Sequence, residues 1–228
     1  VIIGTGIIAL IVGSLALRTD GIYFLMITLA FAQMLFSVAM RWSAVTGGSD
    51  GLIGIPRPEI DLGVWKYSFE SRTAFYYFVV TTFVAIYFGL HNIIRSPFGL
   101  ALKGIKSNQM RMQALGYKTL HYKIGVFVLA GVIAGIAGML LAQFYWHASP
   151  ENLYWTMSGQ ALIMVILGGV GTLIGPVIGA TLMRLLPNIT STYTNNWQSY
   201  MGIMLIVFVL CAPNGIMGIL LKKLKNNR

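Results

Sequence analysis

The sequence predicts an all-α protein, a polytopic membrane helix bundle, and three observations support this fold class. Apolar residues occupy 57% of the 228 positions and charged residues only 10%, whereas a soluble domain carries about 25% charged residues. The mean hydropathy of the chain is +0.75. The apolar residues also fall in long runs, most of which reach the roughly 20 residues that a helix needs to cross a bilayer. Lipid is therefore the main solvent that the sequence predicts.

Six apolar runs are the candidate membrane segments. They cover residues 1–17, 22–40, 73–94, 124–146, 160–183 and 198–221. The first run begins at Val1 without an initiator methionine or a charged leader, which indicates a fragment of a longer chain and not a signal peptide. The single cysteine, Cys211, lies within the last run, so no internal disulfide is possible and a buried thiol is expected.

The distribution of charge predicts how these runs are oriented. The stretch 95–123 carries six basic residues and no acidic one, and the tail 222–228 carries four basic residues. Basic segments beside apolar spans stay on the cytoplasmic side. The charge-balanced loop 41–72 and the loop 147–159 are expected on the external side. Orientation signals thus explain the net charge of +10, and no nucleic-acid partner is expected.

The basic stretch also predicts a short amphipathic helix at the inner membrane face. Ser96 can cap this helix and Pro97 suits its first position, while Gly116 can end it in the left-handed conformation. We therefore expect one helix over residues 97–115, with the basic residues mostly off its apolar stripe. That stripe consists of Leu102, Ile105, Met112 and Leu115. The alternative is a positively charged connector that only enforces orientation.

Charge parity predicts a break within the run 160–183. Three spans after the cytoplasmic stretch would place the basic C-terminus outside, so one run must contain two elements. The glycine-rich residues 168–172 interrupt this run, and Pro176 follows at a place suited to a helix start. We expect two halves at about 154–167 and 172–186, since a break at membrane depth is allowed where protein or a water-filled cavity surrounds it.

The other interpretation of these glycines is an unbroken helix whose small residues let neighbouring backbones approach closely. Two glycine series have suitable spacing: Gly131, Gly135 and Gly138, and Gly171, Gly175 and Gly179. In the last run, Pro213-Asn214-Gly215 is expected to kink or end the helix, leaving residues 216–221 as a terminal turn.

Signatures of catalysis are missing from the sequence. No predicted span contains a carboxylate, which disfavours proton-driven transport. The sequence holds neither an H-E-x-x-H metal motif nor a G-x-S-x-G nucleophile motif. The glycine-rich stretch 168–176 lacks the Lys-Ser/Thr pair of a nucleotide-binding loop. We therefore expect no cofactor, no metal site and no enzymatic activity, ATP hydrolysis included.

Short motifs spread over almost the whole chain carry a family resemblance. They are RTDGIYF at 18–24, TLAFAQ at 28–33, TGG at 46–48, DGL at 50–52, GIP at 54–56, SPFG at 96–99, ALG at 114–116, AGIAG at 134–138, SP at 149–150, GGVGTLIGP at 168–176 and PNG at 213–215. With these motifs in this order, the chain resembles the permease subunits of ATP-binding-cassette (ABC) importers for branched-chain amino acids, of the LivM type.

The resemblance implies the ABC importer permease fold, a ten-helix fold with both termini in the cytoplasm, of which about seven helices are present here. Residues 1–228 would belong to a single transmembrane permease domain in the bacterial plasma (inner) membrane. The implied partners are two cytoplasmic ABC ATPase subunits, a second permease subunit in a heterodimer and an extracytoplasmic substrate-binding protein. The helix at 97–115 would be the coupling helix that docks on an ATPase. Its expected contact residues are Gly99, Lys103, Lys106, Asn108, Arg111, Ala114 and Gly116.

The cargo implied by the resemblance is leucine, isoleucine or valine, with urea or short amides as the alternative. A pathway without fixed charges but with small residues and exposed backbone dipoles suits such apolar zwitterions. The candidate pathway residues are Gln33, Thr46, Gly47, Gly48, Ser158, Gly168 and Gly169. For each of them, helix packing is the alternative role. From the residues alone, two other classes stay open, namely an ion-coupled transporter or channel and a structural membrane scaffold.

Overall fold

The computed structural model describes residues 1–56, 59–61, 66–68, 71–193, 202 and 215–218. These residues belong to two compact units, Val1–Tyr154 and Trp155–Arg228. The predictions for Cys211, for Pro213 and Asn214 and for the basic tail 222–228 lie outside the described residues. Helices dominate the described part of both units, so the all-α prediction is confirmed.

The first unit is built from helices that are joined by short strands and turns. In chain order its helices are α1 (Ile2–Ala16), α2 (Ile22–Arg41), α3 (Ser43–Thr46), α4 (Arg72–Arg95), α5 (Pro97–Ser107), α6 (Gln109–Ala114) and α7 (Thr119–Tyr145). The strands form two antiparallel pairs, β1 (Leu52–Ile53) with β4 (His147–Ala148) and β2 (Glu59–Asp61) with β3 (Lys66–Ser68). Short 3-10 turns lie at Gly48–Asp50 and Pro150–Leu153.

Three helices of the first unit, α2, α4 and α7, are long and apolar enough to cross a membrane. They coincide with three of the predicted runs, and the shorter apolar helix α1 covers the first run. Many of their large apolar side chains are exposed in the isolated chain, for example Tyr76, Phe88 and Phe144. Apolar surface on this scale is not left open to water in soluble proteins. These faces therefore contact lipid or other membrane helices.

Helices α1 and α7 pack closely against each other. A Cβ added at Gly131 would lie 2.5 Å from the Cβ of Ala9, and one added at Gly135 would lie 2.5 Å from the Cγ2 of Thr5. Lipid gives helices no hydrophobic reason to associate, so close backbone approach and dispersion must hold such a pair together. The predicted packing role is confirmed for these two glycines.

The contact between α1 and α7 extends over several turns, and the two chains run through it in opposite directions. Phe127 lies one turn before Gly131 on α7, and it contacts Gly13, which lies one turn after Ala9 on α1. A Cβ at Gly13 would lie 2.7 Å from the Cδ1 atom of Phe127. The two helices are therefore antiparallel. Gly138 is outside this interface, because a Cβ there would meet no described atom within 4 Å, and its packing role stays a prediction.

Each end of this antiparallel pair is also connected to a neighbouring loop. At one end, Lys123 Nζ near the start of α7 lies 3.0 Å from Asp20 Oδ1 in the turn between α1 and α2. At the other end, the β1–β4 ladder joins the loop after α2 to the loop after α7. The turns at 52–53 and 147–148 thus share one end of the unit, and Lys123 of the basic stretch lies at the opposite end.

The second unit contains a helical hairpin. Helix α8 (Trp155–Gly168) and helix α9 (Gly175–Tyr193) run antiparallel. A Cβ at Gly179 would collide with the carbonyl group of Met164. The two helix backbones therefore approach so closely at this point that only glycine fits.

The predicted break between the two helices of this hairpin is confirmed. Thr172 Oγ1 donates a hydrogen bond to the carbonyl of Gly169 at 3.1 Å and accepts one from the N–H of Gly175 at 3.1 Å. Thr172 therefore satisfies the free N–H group of the first residue of α9, and Pro176 lies in the first turn, as predicted. The second helix begins three residues later than predicted, because residues 172–174 form a turn that Thr172 stabilises.

The prediction of one amphipathic helix over residues 97–115 is wrong. The chain forms two helices there, α5 and α6, which are separated at Asn108, whose backbone is extended with φ −159° and ψ 104°. The Oδ1 atom of Asn108 accepts a hydrogen bond from the N–H of Arg111 at 2.9 Å. An asparagine that caps the next helix in this way competes with continuation of the preceding one. One helix therefore becomes two.

We expect that Gly131→Ala lowers the stability of the protein by about 1–3 kcal/mol, because the added methyl group overpacks the contact with Ala9. Gly138→Ala is the matched control, since it makes the same change in the same helix where no neighbour lies within 4 Å. The control is expected to be neutral or slightly stabilising, because alanine favours a helix. Thermal unfolding in detergent measures both, and equal effects would contradict the close α1–α7 contact.

Candidate functional site

The basic end of the first unit carries the candidate coupling segment, which consists of α5 and α6. Ser96 Oγ accepts a hydrogen bond from the N–H of Gly99 at 3.4 Å and donates one to the carbonyl of Ile93 at 2.7 Å. Pro97 is the first residue of α5. At the other end, Gly116 has φ +86°, a conformation that a side chain disfavours. The residues predicted to begin and end the segment are confirmed.

One face of α5 is fixed to α7. Ala101 and Ile105 are buried, and the ring of Phe98 stacks on that of Tyr122 with centroids 5.6 Å apart and an interplanar angle of 24°. A Cβ at Gly125 would lie 3.3 Å from Cζ of Phe98, so α7 leaves just enough room for the phenyl ring. The coupling segment is therefore mounted on α7 by aromatic and apolar packing.

The opposite face of the coupling segment presents both positive charge and apolar side chains. Lys103, Lys106 and Arg111 are exposed. Between and beside them, Met110 is 81% exposed and Leu115 is 67% exposed. Exposed apolar side chains surrounded by charged residues are typical of a surface that binds another protein.

The apolar stripe predicted for this segment is correct for three of its four residues. Ile105 is buried, and Leu102 and Met112 are half-buried, whereas Leu115 is exposed. The stripe assumed an unbroken helical period, and the extended backbone at Asn108 interrupts that period. Leu115 therefore points away from the face that packs on α7.

The seven residues predicted to contact an ATPase have different places in this segment. Gly99 is buried, and a Cβ there would lie 2.5 Å from the carbonyl oxygens of Ile93 and Ile94. It therefore lies where the start of α5 packs against the end of α4. Asn108 caps α6, and Gly116 ends the segment. The other four residues lie exposed on the segment: Lys103, Lys106, Arg111 and Ala114.

At the opposite end of the first unit, three predicted pathway residues form the turn after α2. Thr46 Oγ1 donates a hydrogen bond to the carbonyl of Trp42 at 2.8 Å and accepts one from the N–H of Gly48 at 3.4 Å. Gly47 has φ +74°, and a Cβ there would collide with the carbonyl of Gly51. Local turn geometry thus accounts for the threonine and both glycines.

The remaining predicted pathway residues are divided between the two units. Gly168 and Gly169 are buried, and a Cβ at Gly215 would collide with the backbone of Gly169. These glycines therefore serve close packing within the second unit. Ser158 is exposed on α8, and Gln33 is half-buried on α2.

Gln143 is a buried polar residue that the sequence reasoning missed. It lies in the last third of α7, and within the described residues its Oε1 atom has no hydrogen-bond donor. An unsatisfied buried amide oxygen costs about 1–3 kcal/mol. The available signal was an amide within the apolar run 124–146, which a search for ionisable residues does not detect.

Comparison with known proteins decides the family of this chain. The model of the family described as the branched-chain amino acid transport system permease component matches residues 1–212. The chain belongs to this permease family. Together with the three candidate spans, this membership places the permease in a membrane as a multi-pass protein and confirms the predicted fold class.

Curated relatives confirm the LivM-type resemblance of the permease. The high-affinity branched-chain amino acid transport system permease protein LivM of Salmonella typhimurium is 24% identical over 234 residues, which cover 94% of this chain and 55% of the relative. LivM of Escherichia coli has the same identity and coverage. LivH of Escherichia coli is 29% identical over 143 residues, or 61% of this chain and 46% of the relative.

The permease chain spans about half the length of the curated relatives it matches. No solved structure matches it.

We expect that Gln143→Leu raises the stability of the permease by about 1–3 kcal/mol, because it removes a buried amide oxygen without a donor. Gln33→Leu is the comparison variant, since Gln33 is half-buried in a neighbouring membrane helix and its amide is open to other contacts. Thermal unfolding of both variants in detergent measures the difference. A loss of stability in Gln143→Leu would show that a partner satisfies this amide in the intact protein.

Proposed function

We propose that this chain forms part of the permease subunit of an ATP-driven importer that moves branched-chain amino acids into the cell. The family match over residues 1–212 is the observation that carries the proposal. In this role the chain provides a path through the membrane and catalyses no reaction. ATP hydrolysis belongs to two cytoplasmic ABC ATPase subunits. All of residues 1–228 then belong to one transmembrane domain.

The exposed face of α5 and α6 is the proposed contact with an ATPase. Its support is the combination of three exposed cations, Lys103, Lys106 and Arg111, with the exposed apolar side chains of Met110 and Leu115. Such a surface suits an apolar cleft with an acidic rim. The stack of Phe98 on Tyr122 links this surface to α7, so a displacement of the segment is passed to a membrane helix as rigid-body motion.

The proposed coupling residues divide by role. Lys103, Lys106, Arg111 and Ala114 would touch the ATPase, while Gly99, Asn108 and Gly116 would hold the shape that presents them. The burial of Gly99, the hydrogen bond to Asn108 and the positive φ of Gly116 support this division. It also explains why glycine and asparagine occupy these positions in a surface segment.

The proposed orientation places the basic stretch 95–123 in the cytoplasm and the loops 41–72 and 147–159 outside. Its support is the inside-positive rule together with the contacts that put residues 52–53 and 147–148 at one end of the first unit and Lys123 at the other. The basic tail 222–228 would also be cytoplasmic. The membrane is the plasma (inner) membrane of a bacterial cell.

The cargo and the remaining partners are proposed from the relatives. The relatives named LivM and LivH are both permease proteins of branched-chain amino acid transport, which supports a heterodimer of two permease subunits. An extracytoplasmic binding protein would deliver the cargo. Gln33 and Ser158 are the better candidates for the pathway, because Thr46, Gly47, Gly48, Gly168 and Gly169 are used in turns and close packing.

The cargo is tested with the complete permease complex and its binding protein in lipid vesicles. We expect uptake of labelled leucine that requires ATP and the ATPase subunits and that isoleucine and valine inhibit. Uptake of urea or acetamide instead of leucine would contradict the amino-acid cargo and support the alternative cargo. Leucine uptake without the ATPases would contradict an ATP-driven importer and favour a channel or secondary transporter.

The coupling surface is tested by replacing Lys103, Lys106 and Arg111 together with glutamine. We expect co-purification of the ATPase, cargo-stimulated ATP hydrolysis and transport to fall about tenfold or more, since three exposed charge contacts of up to 1 kcal/mol each are lost. Lys118→Gln is the matched control, because Lys118 is an exposed cation of the same basic stretch outside α5 and α6. Unchanged stimulation in the triple variant would exclude this surface as the ATPase contact.

A further inference from the structure

Most acidic residues of this chain are distant in sequence from the basic stretch 95–123. The sequence contains six acidic residues. Five of them lie in the stretches 41–72 and 147–159, away from the basic stretch in the sequence. Asp20 is the sixth, and it lies in the turn between α1 and α2, where it contacts Lys123 of the basic stretch.

Asp20 makes a defined contact there. Its Oδ1 atom lies 3.0 Å from Nζ of Lys123, a residue 103 positions away in the sequence. The Lys123 side chain is only 23% exposed, whereas that of Asp20 is 76% exposed. The lysine is therefore held against the protein, and the carboxylate reaches it from the turn.

Lys123 lies between two of the contacts that fix α7 to its neighbours. One residue earlier, Tyr122 stacks on Phe98 of the coupling segment. About one turn later, Phe127 contacts Gly13 of α1. The ion pair with Asp20 thus joins the α1–α2 turn to the place on α7 where the coupling segment is mounted.

The turn that carries Asp20 is tightly connected to α1. Thr19 Oγ1 donates a hydrogen bond to the carbonyl of Ala16 at 2.9 Å, and the N–H of Thr19 also bonds to that carbonyl at 3.2 Å. Gly21 then precedes the first residue of α2 with φ +65°. Any displacement of Asp20 is therefore passed to the adjoining ends of both α1 and α2.

We propose that Asp20 and Lys123 are positioning residues for transport. Their ion pair keeps the α1–α2 turn in register with the coupling segment, so that α1, α5 and α7 move as one rigid block when a partner displaces the segment. Small-residue packing makes the block stiff, and the ion pair sets the position of its inner end. This inference rests on the proposed function, because the displacement comes from the ATPase.

A charge-swap experiment in the complete complex tests the pair. Asp20→Asn and Lys123→Gln are each expected to lower transport and cargo-stimulated ATP hydrolysis by about two- to fivefold, the range for one partly exposed ion pair. Membrane insertion, ATPase co-purification and basal ATP hydrolysis are expected to stay unchanged. The double variant Asp20→Lys with Lys123→Asp restores the pair with reversed polarity and is expected to recover most of the transport.

Two outcomes of the charge swap would overturn the inference. One is wild-type transport in both single variants. The other is a double variant that assembles normally but transports no better than the single variants. Failure of the proposed function looks different, because the ATPase would then not co-purify even with the unmodified permease.

A cross-link between positions 20 and 123 tests the rigid block by a method that does not depend on the small free energy of one ion pair. Asp20→Cys and Lys123→Cys are combined with Cys211→Ser, which removes the single cysteine of these 228 residues. A short bifunctional thiol reagent is expected to join the two positions in membranes, with or without the ATPase, and transport is expected to continue at the rate of the unlinked double variant. Loss of transport on cross-linking would show that the two helices must separate. Absence of a cross-link would contradict the contact itself.

Discussion

The close antiparallel contact between α1 and α7 is the interaction on which the rest of the first unit depends. In lipid, burial of apolar surface between helices contributes little free energy of association. The helix backbones must therefore approach closely enough for dispersion forces to hold the helices together. Gly131 and Gly135 allow this approach to Ala9 and Thr5. Since α7 also packs against the coupling segment at one end and joins the β1–β4 ladder at the other, one helix connects both ends of the first unit.

Charge acts on this framework in two ways. The excess of cations at one end sets the proposed orientation of the chain, since positively charged loops are retained on the cytoplasmic side. At the same end, Asp20 uses one of these cations, Lys123, for a contact within the protein. Lys103, Lys106 and Arg111 are exposed on the coupling segment and are the proposed contacts of the ATPase. In this proposal, neighbouring cations of one stretch have separate roles.

Glycine shows most clearly where sequence reasoning succeeds and where it fails. The spacing of Gly131, Gly135 and Gly138 suits one helix face for all three residues. Of these three, Gly131 and Gly135 contact α1 and Gly138 does not. Gly47 and Gly48 resemble residues of a polar pathway, but they form a turn that Thr46 holds. A glycine has no side chain of its own to indicate its role. That role depends on the atoms that lie opposite, which the local sequence does not contain.

The sequence by itself determined the membrane character, the ends of the coupling segment and the break between α8 and α9, because these depend on composition and on residues near in the chain. The caps at Ser96 and Gly116 and the turn at Thr172 are of this local kind. Only the tertiary structure decided the burial of Gln143, the place of Gly99 in a joint and the pairing of Asp20 with Lys123. Such features depend on how backbones from separate helices meet, and no local pattern encodes a partner 103 residues away.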